Sequence, residues 1–189
     1  MDYKIRDEKV VLDDFLKVFK ATVEHDSYSG ASIKAKRLAL DRGDSVAVLI
    51  YEKDTDSFLF TEQFRYPSAR RKIPFILELV AGAVEDGERP ESSALREIEE
   101  EIGYEADQLT LIHRYFPTPG MSAEVINLFY TEVLSVQKSY NGGGAKSEQE
   151  DIKLVKLSRK RVFEKLSNQE FNNSITIIGL QWFLLNKNN

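Results

Sequence analysis

Cysteine is absent from all 189 residues. That excludes a disulfide scaffold, a zinc–thiolate site, an iron–sulfur cluster and a cysteine nucleophile. Histidine occurs only at His25 and His113, which excludes a multi-histidine metal centre. No apolar run approaches the ~20 residues that a membrane helix needs. The N-terminus, Met1-Asp2-Tyr3-Lys4, is charged and lacks the apolar core of a signal peptide, so a cytoplasmic protein is expected. An excess of positive charge is missing too. Against 31 acidic side chains stand 26 basic ones, for a net charge of −5, and neither nucleic acid nor an anionic membrane is an expected partner. What remains is 42% hydrophobic and 30% charged residues, the mix of a globular domain of ordinary size with a short extension.

The negative charge is local. Between Glu85 and Glu101 lie eight acidic residues and only Arg89 and Arg96 to oppose them, a net charge of −6. The rest of the chain, with 24 basic and 23 acidic residues, is then +1. A solvated helix face is the ordinary explanation of such a run. The spacing argues for something else, as follows.

Residues 1–43 read as two or three strands closed by the turn Asp41-Arg42-Gly43. Ser45 to Tyr51 is strongly β-prone and reads as a buried strand. Ser57 to Gln63 is expected to pair with it after a polar turn. Tyr66 to Pro74 is basic and bracketed by prolines, hence a loop, and Phe75 to Ala81 is a further strand. Pro90 suits the first turn of a helix and Gly103 the residue just past its end, so a helix is expected from Pro90 to Ile102, with Ala94, Leu95 and Ile98 on its apolar side. Strands follow at Leu109 to Tyr115, Val125 to Val133 and Ile152 to Leu157, and helices near 159–166 and 175–185. Trp182, at helical spacing with Ile178 and Leu185, is expected in the core. Strands and helices interleave while several strand pairs share short turns, which gives an α/β (α+β) class: a mixed sheet covered by helices on both sides.

On the Pro90–Ile102 helix, Glu97 and Glu101 are spaced i, i+4, and Glu97 and Glu100 i, i+3, so they share one face. Like charges so placed destabilise a helix by ~0.2–0.5 kcal/mol per pair. Three converging carboxylates without nearby lysines make sense if divalent cations sit among them. Oxygen ligands without a Cys or His cluster point to Mg²⁺, with Mn²⁺ as a substitute. Mg²⁺ takes one or two carboxylates plus substrate phosphates, so a diphosphate is the natural partner.

Gly82, Glu88, Arg96-Glu97-Ile98, Glu100-Glu101 and Gly103 match the pattern G-x5-E-x7-R-E-U-x-E-E-x-G-U, where U is bulky and aliphatic. This is the Nudix box, and the chain resembles the Nudix hydrolases. The last U is Tyr104, a departure in which a bulky body is kept, and it is expected to pack under the following loop. Outside the box, Glu62 to Pro67 and Leu77 to Gly82 resemble the ADP-ribose pyrophosphatase branch. Pro119, 16 residues beyond Gly103, resembles that branch's downstream proline, Ser147 to Ile152 its acidic loop, and Ile175 to Trp182 its C-terminal helix. The similarity runs from about residue 35 to residue 185. GDP-mannose hydrolases are close relatives, and Gly142-Gly143-Gly144 resembles them equally.

The resemblance implies a Nudix-type α/β/α sandwich over residues 44–189, with residues 1–43 as a small β extension that serves dimerisation. It implies Mg²⁺-dependent hydrolysis of a nucleoside diphosphate sugar, with ADP-ribose split to AMP and ribose 5-phosphate. GDP-mannose or another such sugar is the alternative, and a non-catalytic ligand sensor, which would be expected to lose box carboxylates, the remote one. Glu97 and Glu101 are the metal ligands, Glu100 assists them, and the Ala81 carbonyl and Glu150 join through the resemblance. Glu148 is the candidate general base, although its role and that of Glu150 are interchangeable at this level. Arg96 belongs to the catalytic group as an orienting residue that holds Glu88 or Glu97. The resemblance puts Arg65 on the diphosphate or terminal ribose and Glu78 on a sugar or base edge. Tyr28 and Arg37 fall on the nucleobase, in a site shared between the subunits of a homodimer, and Glu124 on ribose hydroxyls or at an exposed strand edge.

Overall fold

The computed structural model describes residues 1–145 and 149–187. They form two compact units, one of Met1–Asp44 with Phe116–Val125, the other of Ser45–Tyr115 with the described residues from Ile126 onward. In the first unit, β1 (Tyr3–Asp13), β2 (Lys17–Asp26) and β3 (Ser32–Asp41) make an antiparallel sheet in the order β1-β2-β3. Its surfaces are little covered: every residue of β1 is exposed. Phe116–Val125 runs beside the end of β3, where Leu40 N–H donates to Met121 O at 2.8 Å and Ala123 N–H to Leu40 O at 2.9 Å.

The second unit is built on β4 (Ser45–Glu52), β5 (Ser57–Phe64), β6 (Phe75–Glu78), β7 (Val80–Ala83), β8 (Thr110–Tyr115), β9 (Ile126–Val133) and β10 (Lys153–Ser158). The sheet order is β10-β5-β4-β9-β8. β4 runs parallel to β9 and antiparallel to β5, which makes the sheet mixed. The β4–β5 pairing holds only from Ile50 to Glu52; beyond it β7 takes over the free half of β4 and β6 that of β5. The expected strand from Phe75 is therefore one segment that kinks at Leu79 and crosses from one neighbour to the other. That kink places Glu78, Ala81 and Gly82 at the mouth where β4 and β5 part.

Alternation along β4 separates two cores, as period-2 geometry requires. Val46, Val48 and Ile50 pack with Ala94, Ile98 and Ile102 of α2 (Pro90–Ile102). Ala47 and Leu49 pack with α3 (Arg159–Ser167) and α4 (Ser174–Asn186), through Val162, Leu180 and Phe183. α1 (Tyr66–Ala69) is a single turn within the expected loop. α2 has the expected bounds, and Gly103 ends it with φ +70°. In α4 the expected face holds in part. Trp182 and Ile178 pack half-buried against the core, as expected, but Leu185 is 84% exposed, and the buried positions are Thr176, Gly179, Leu180 and Phe183. Apolar residues occupy every side of this helix, so spacing alone carries no face. Among the described residues, no helix is long and apolar enough to cross a membrane.

Tyr104 does more than pack. Its hydroxyl donates to Glu52 Oε1 at 2.6 Å, and Lys156 and Thr55 donate to the other carboxylate oxygen. Burial pushes the Glu52 carboxyl upward, but the donors prevail and hold it below the usual carboxylate range. A depressed carboxyl contributes stability that is complete above that range and lost as pH falls through it. Glu52→Gln is therefore expected to cost about 1–3 kcal/mol at pH 7, read by urea denaturation. The gap from wild type should close on acidification, and a gap that does not change with pH contradicts the assignment.

Candidate active site

The site is assembled on α2. Its buried stripe contains Ala94, Ile98 and Ile102, and with them Glu97 and Glu101, only 8% and 1% exposed. A solvated face is thereby excluded for these two, whereas Glu91 and Glu99 do lie in solvent. Burial pushes the Glu97 carboxyl up to about 7, helped by the charges of Glu100 and Glu150 and opposed by Arg96. Glu101 is raised well above the carboxylate range, first by burial, then by Glu97 and Glu150, while Arg65 pulls the other way. These mutual effects bring four of the expected residues into one electrostatic group: Glu97, Glu101, Glu150 and Arg65.

Arg96 organises the solvent side of the cluster. One terminal nitrogen donates to Glu97 Oε1 at 2.8 Å and to Glu100 Oε2 at 3.0 Å. The other donates to Glu88 Oε2 at 3.3 Å and to Ala83 O at 3.2 Å. A planar guanidinium with five fixed donors can do this where a lysine could not. Its neighbours' negative charge keeps Arg96 fully protonated. Ser93, which the sequence reading missed, donates to Glu88 Oε2 at 2.6 Å and is the leading cause of that carboxyl's lowered pKa. Its place in the first turn of α2, five residues after Glu88, was the available signal.

β7 supplies the wall. Ala81 N–H donates to Glu101 Oε2 at 3.3 Å. The Glu97 carboxylate lies against Gly82, where any Cβ would overlap it. A side chain at the box glycine would therefore displace the Glu97 carboxylate from its place. At the kink, Arg65 Nε donates to Glu78 Oε2 at 2.7 Å, so these two expected substrate-binding residues meet as an ion pair. Glu150 Oε2 accepts from Ala145 N–H at 3.1 Å. Glu148 lies outside the described residues.

The other expected contacts fall in the first unit. Tyr28, in the turn between β2 and β3, is 97% exposed. Arg37, on β3, donates to the neighbouring Lys36 carbonyl at 3.1 Å. Glu124 stands 3.8 Å from the Arg42 guanidinium.

The donor set suits a hard cation. Carboxylates dominate, two are buried against their own repulsion, and burial of an anionic pair is costly without compensating charge. Among the described residues, no three Asp, Glu or His side chains already converge as a coordination group; Glu97 and Glu100 instead face Arg96. A separate cavity of about 430 Å³, lined by Lys53, Tyr130, Glu132 and Lys187 among others, is made of none of these residues. Glu132 there takes Lys53 at 3.0 Å, Lys187 at 3.7 Å and the Tyr130 hydroxyl at 2.9 Å.

Comparison with known proteins identifies the family. The model of the NUDIX domain matches residues 41–172. An ADP-ribose pyrophosphatase of Haemophilus influenzae is 36% identical over 98% of this chain and 87% of its own length. An ADP-ribose pyrophosphatase of Bacillus subtilis is 32% identical over 80% of this chain and 77% of its own. A GDP-mannose pyrophosphatase of Cronobacter sakazakii is 27% identical over 92% and 91%. With a family match over most of its length and all the box carboxylates retained, this protein belongs to the Nudix family of pyrophosphohydrolases.

Proposed function

We propose that this chain is a cytoplasmic, homodimeric, Mg²⁺-dependent hydrolase of nucleoside diphosphate sugars, with ADP-ribose as the preferred substrate. The observation that carries the reading is the pair Glu97 and Glu101, buried side by side on α2 with Arg96 across their outer edge. Glu97, Glu101 and Glu150, with the Ala81 carbonyl, would hold the cation, and Glu100 assists. When bound, Mg²⁺ supplies positive charge against the diphosphate and acidifies water.

The chain's own residues do the rest. Arg96 keeps Glu97 and Glu100 in one orientation. Arg65 binds the diphosphate or terminal ribose, steadied by Glu78, whose carboxylate also faces the sugar or base edge. Glu148 takes the proton of the attacking water. Its oxygen bonds to one phosphorus as the bond from that phosphorus to the bridging oxygen breaks, and for ADP-ribose the products are AMP and ribose 5-phosphate. No covalent enzyme intermediate is needed. Tyr28, Arg37 and Glu124 are assigned to the base and its ribose. The β1–β3 sheet leaves Tyr3, Ile5, Val10, Leu12 and Leu38 exposed, an apolar surface that suits a second copy of the chain.

GDP-mannose is the second reading. It is favoured by relatives of that name that match along nearly the whole chain. A panel of nucleotide sugars assayed with Mg²⁺, with products separated by chromatography, distinguishes the two. ADP-ribose is expected to give the highest kcat/KM, and chelation with EDTA to abolish turnover. GDP-mannose ahead of ADP-ribose reverses the order, and no turnover of any member removes the reading.

A further inference from the structure

After β9 the chain returns to the C-terminal end of α2 and follows it closely. Ser139 N–H donates to Gly103 O at 2.8 Å, Gly143 N–H to Glu101 O at 3.0 Å and Gly144 N–H to Glu100 O at 3.1 Å. The last carbonyls of a helix lack partners within it, and here the glycine tract supplies them. Two of these carbonyls belong to Glu100 and Glu101, whose side chains face the site. At Gly142 and Gly144 the contact leaves no room for a side chain, while Gly143, where a Cβ would meet nothing within 4 Å, is set apart by its φ of +119°. At Gly142, with φ +65°, a Cβ would overlap the Glu101 carbonyl and stand 2.6 Å from Ile102 Cα. At Gly144 it would meet Glu150 Oε2 at 2.6 Å and Glu150 Cβ at 2.7 Å.

The same tract fixes the acidic residue. Ala145 N–H holds the Glu150 carboxylate, and Ile152 N–H donates back to Gly143 O at 3.2 Å. β10 then leads to Lys156, which joins Glu52 beside the Tyr104 hydroxyl, next to the end of α2. Both flanks of the acidic segment are thereby tied to the helix that carries Glu97 and Glu101.

We propose that Gly142, Gly143 and Gly144 are positioning residues: they dock the chain that holds Glu150 and Ile152 directly on the end of α2, so that backbone hydrogen bonds set Glu150 relative to Glu97 and Glu101. Groups from distant parts of a chain must be held to within about 0.5 Å to share a reacting centre, and a backbone-to-backbone seam does this where a longer, rotatable side-chain contact does not. The proposal rests on Glu150 acting in the metal site.

The test compares full-length Gly142→Ala, Glu150→Gln and the double variant. Manganese binding is followed by electron paramagnetic resonance of free Mn²⁺, and ADP-ribose hydrolysis is measured against Mg²⁺ concentration. Gly142→Ala is expected to weaken Mn²⁺ binding and raise the Mg²⁺ half-saturation by about tenfold or more, the scale of losing a group that orients a metal ligand. In the Glu150→Gln background the same substitution should add little, because both act through one group. Gly120→Ala, where a Cβ meets nothing within 4 Å, should match wild type. If circular dichroism finds Gly142→Ala unfolded, Gly144→Ala replaces it, since there the clash falls on the side chain of Glu150. Normal Mn²⁺ binding in a folded glycine variant, or independent losses in the double variant, overturns the positioning role alone. Wild-type behaviour of Glu150→Gln overturns the metal-site assignment of Glu150 and the positioning role with it.

Discussion

Replacing Glu101 by Gln is expected to cut kcat by about 10³-fold, the several kcal/mol that a metal site contributes to charge stabilisation in a transition state. The same change should leave the metal-free protein as stable as wild type, or more so. Glu101 is 1% exposed and shares its pocket with Glu97, so as a charged group it costs the fold free energy through lost hydration and repulsion. Glutamine keeps the shape and can still accept the Ala81 N–H. A residue that weakens the fold it sits in is expected where function, not stability, placed it. Steady-state kinetics and a thermal melt in EDTA read the two halves of this result. Full activity with a lowered Tm would show Glu101 to be a structural group and would remove the centre of the proposed site.

Phe183→Ala tests the opposite face of the sheet. The ring lies 4.8 Å from Phe58, 5.3 Å from Tyr51, 5.8 Å from Tyr130 and 6.1 Å from Phe163, centre to centre. It is the meeting point of β4, β5, β9, α3 and α4. Removing a buried Phe costs about 3–5 kcal/mol, through lost transfer energy and the cavity left behind, and for a chain of this size a fall in Tm on the order of 10 °C. The molecules that stay folded should retain wild-type kcat, because α2 packs against the other core. A large loss of kcat without loss of stability would mean that the two faces are coupled more tightly than their separate cores imply.

The parts of the fold that were legible in the sequence are those decided within a few residues. Pro90 and Gly103 bracket α2 because proline's missing N–H costs nothing in a first turn and glycine accepts the left-handed ending. The β-prone run at Ser45 marked β4. What the sequence left open was non-local. Nothing in the segment Ser57 to Gln63 reveals that β5 parts from β4 after three pairs, or that Leu79 is where the next segment changes neighbours. Tyr104 looked like an apolar substitute at the last box position. Its partner Glu52 lies 52 residues away, beyond the reach of any local pattern. In α4, Gly179 marks the side facing the sheet because a Cβ there would meet Leu79 at 3.2 Å; among residues apolar on every side, that closeness was invisible.

By itself, then, the sequence determined that several glutamates share one face of a helix, since 3.6 residues per turn and the identities at 97, 100 and 101 suffice for that. The box pattern also determined the family. Only the tertiary structure decided that Glu97 and Glu101 turn inward while Glu91 and Glu99 remain in water, that Arg96 gathers Glu88, Glu97 and Glu100, and that a glycine tract forty residues downstream docks on the helix end. Burial and carbonyl capture depend on what packs against an element, and that is set by the sheet beneath α2 and the loop beyond it, not by the helix's own residues.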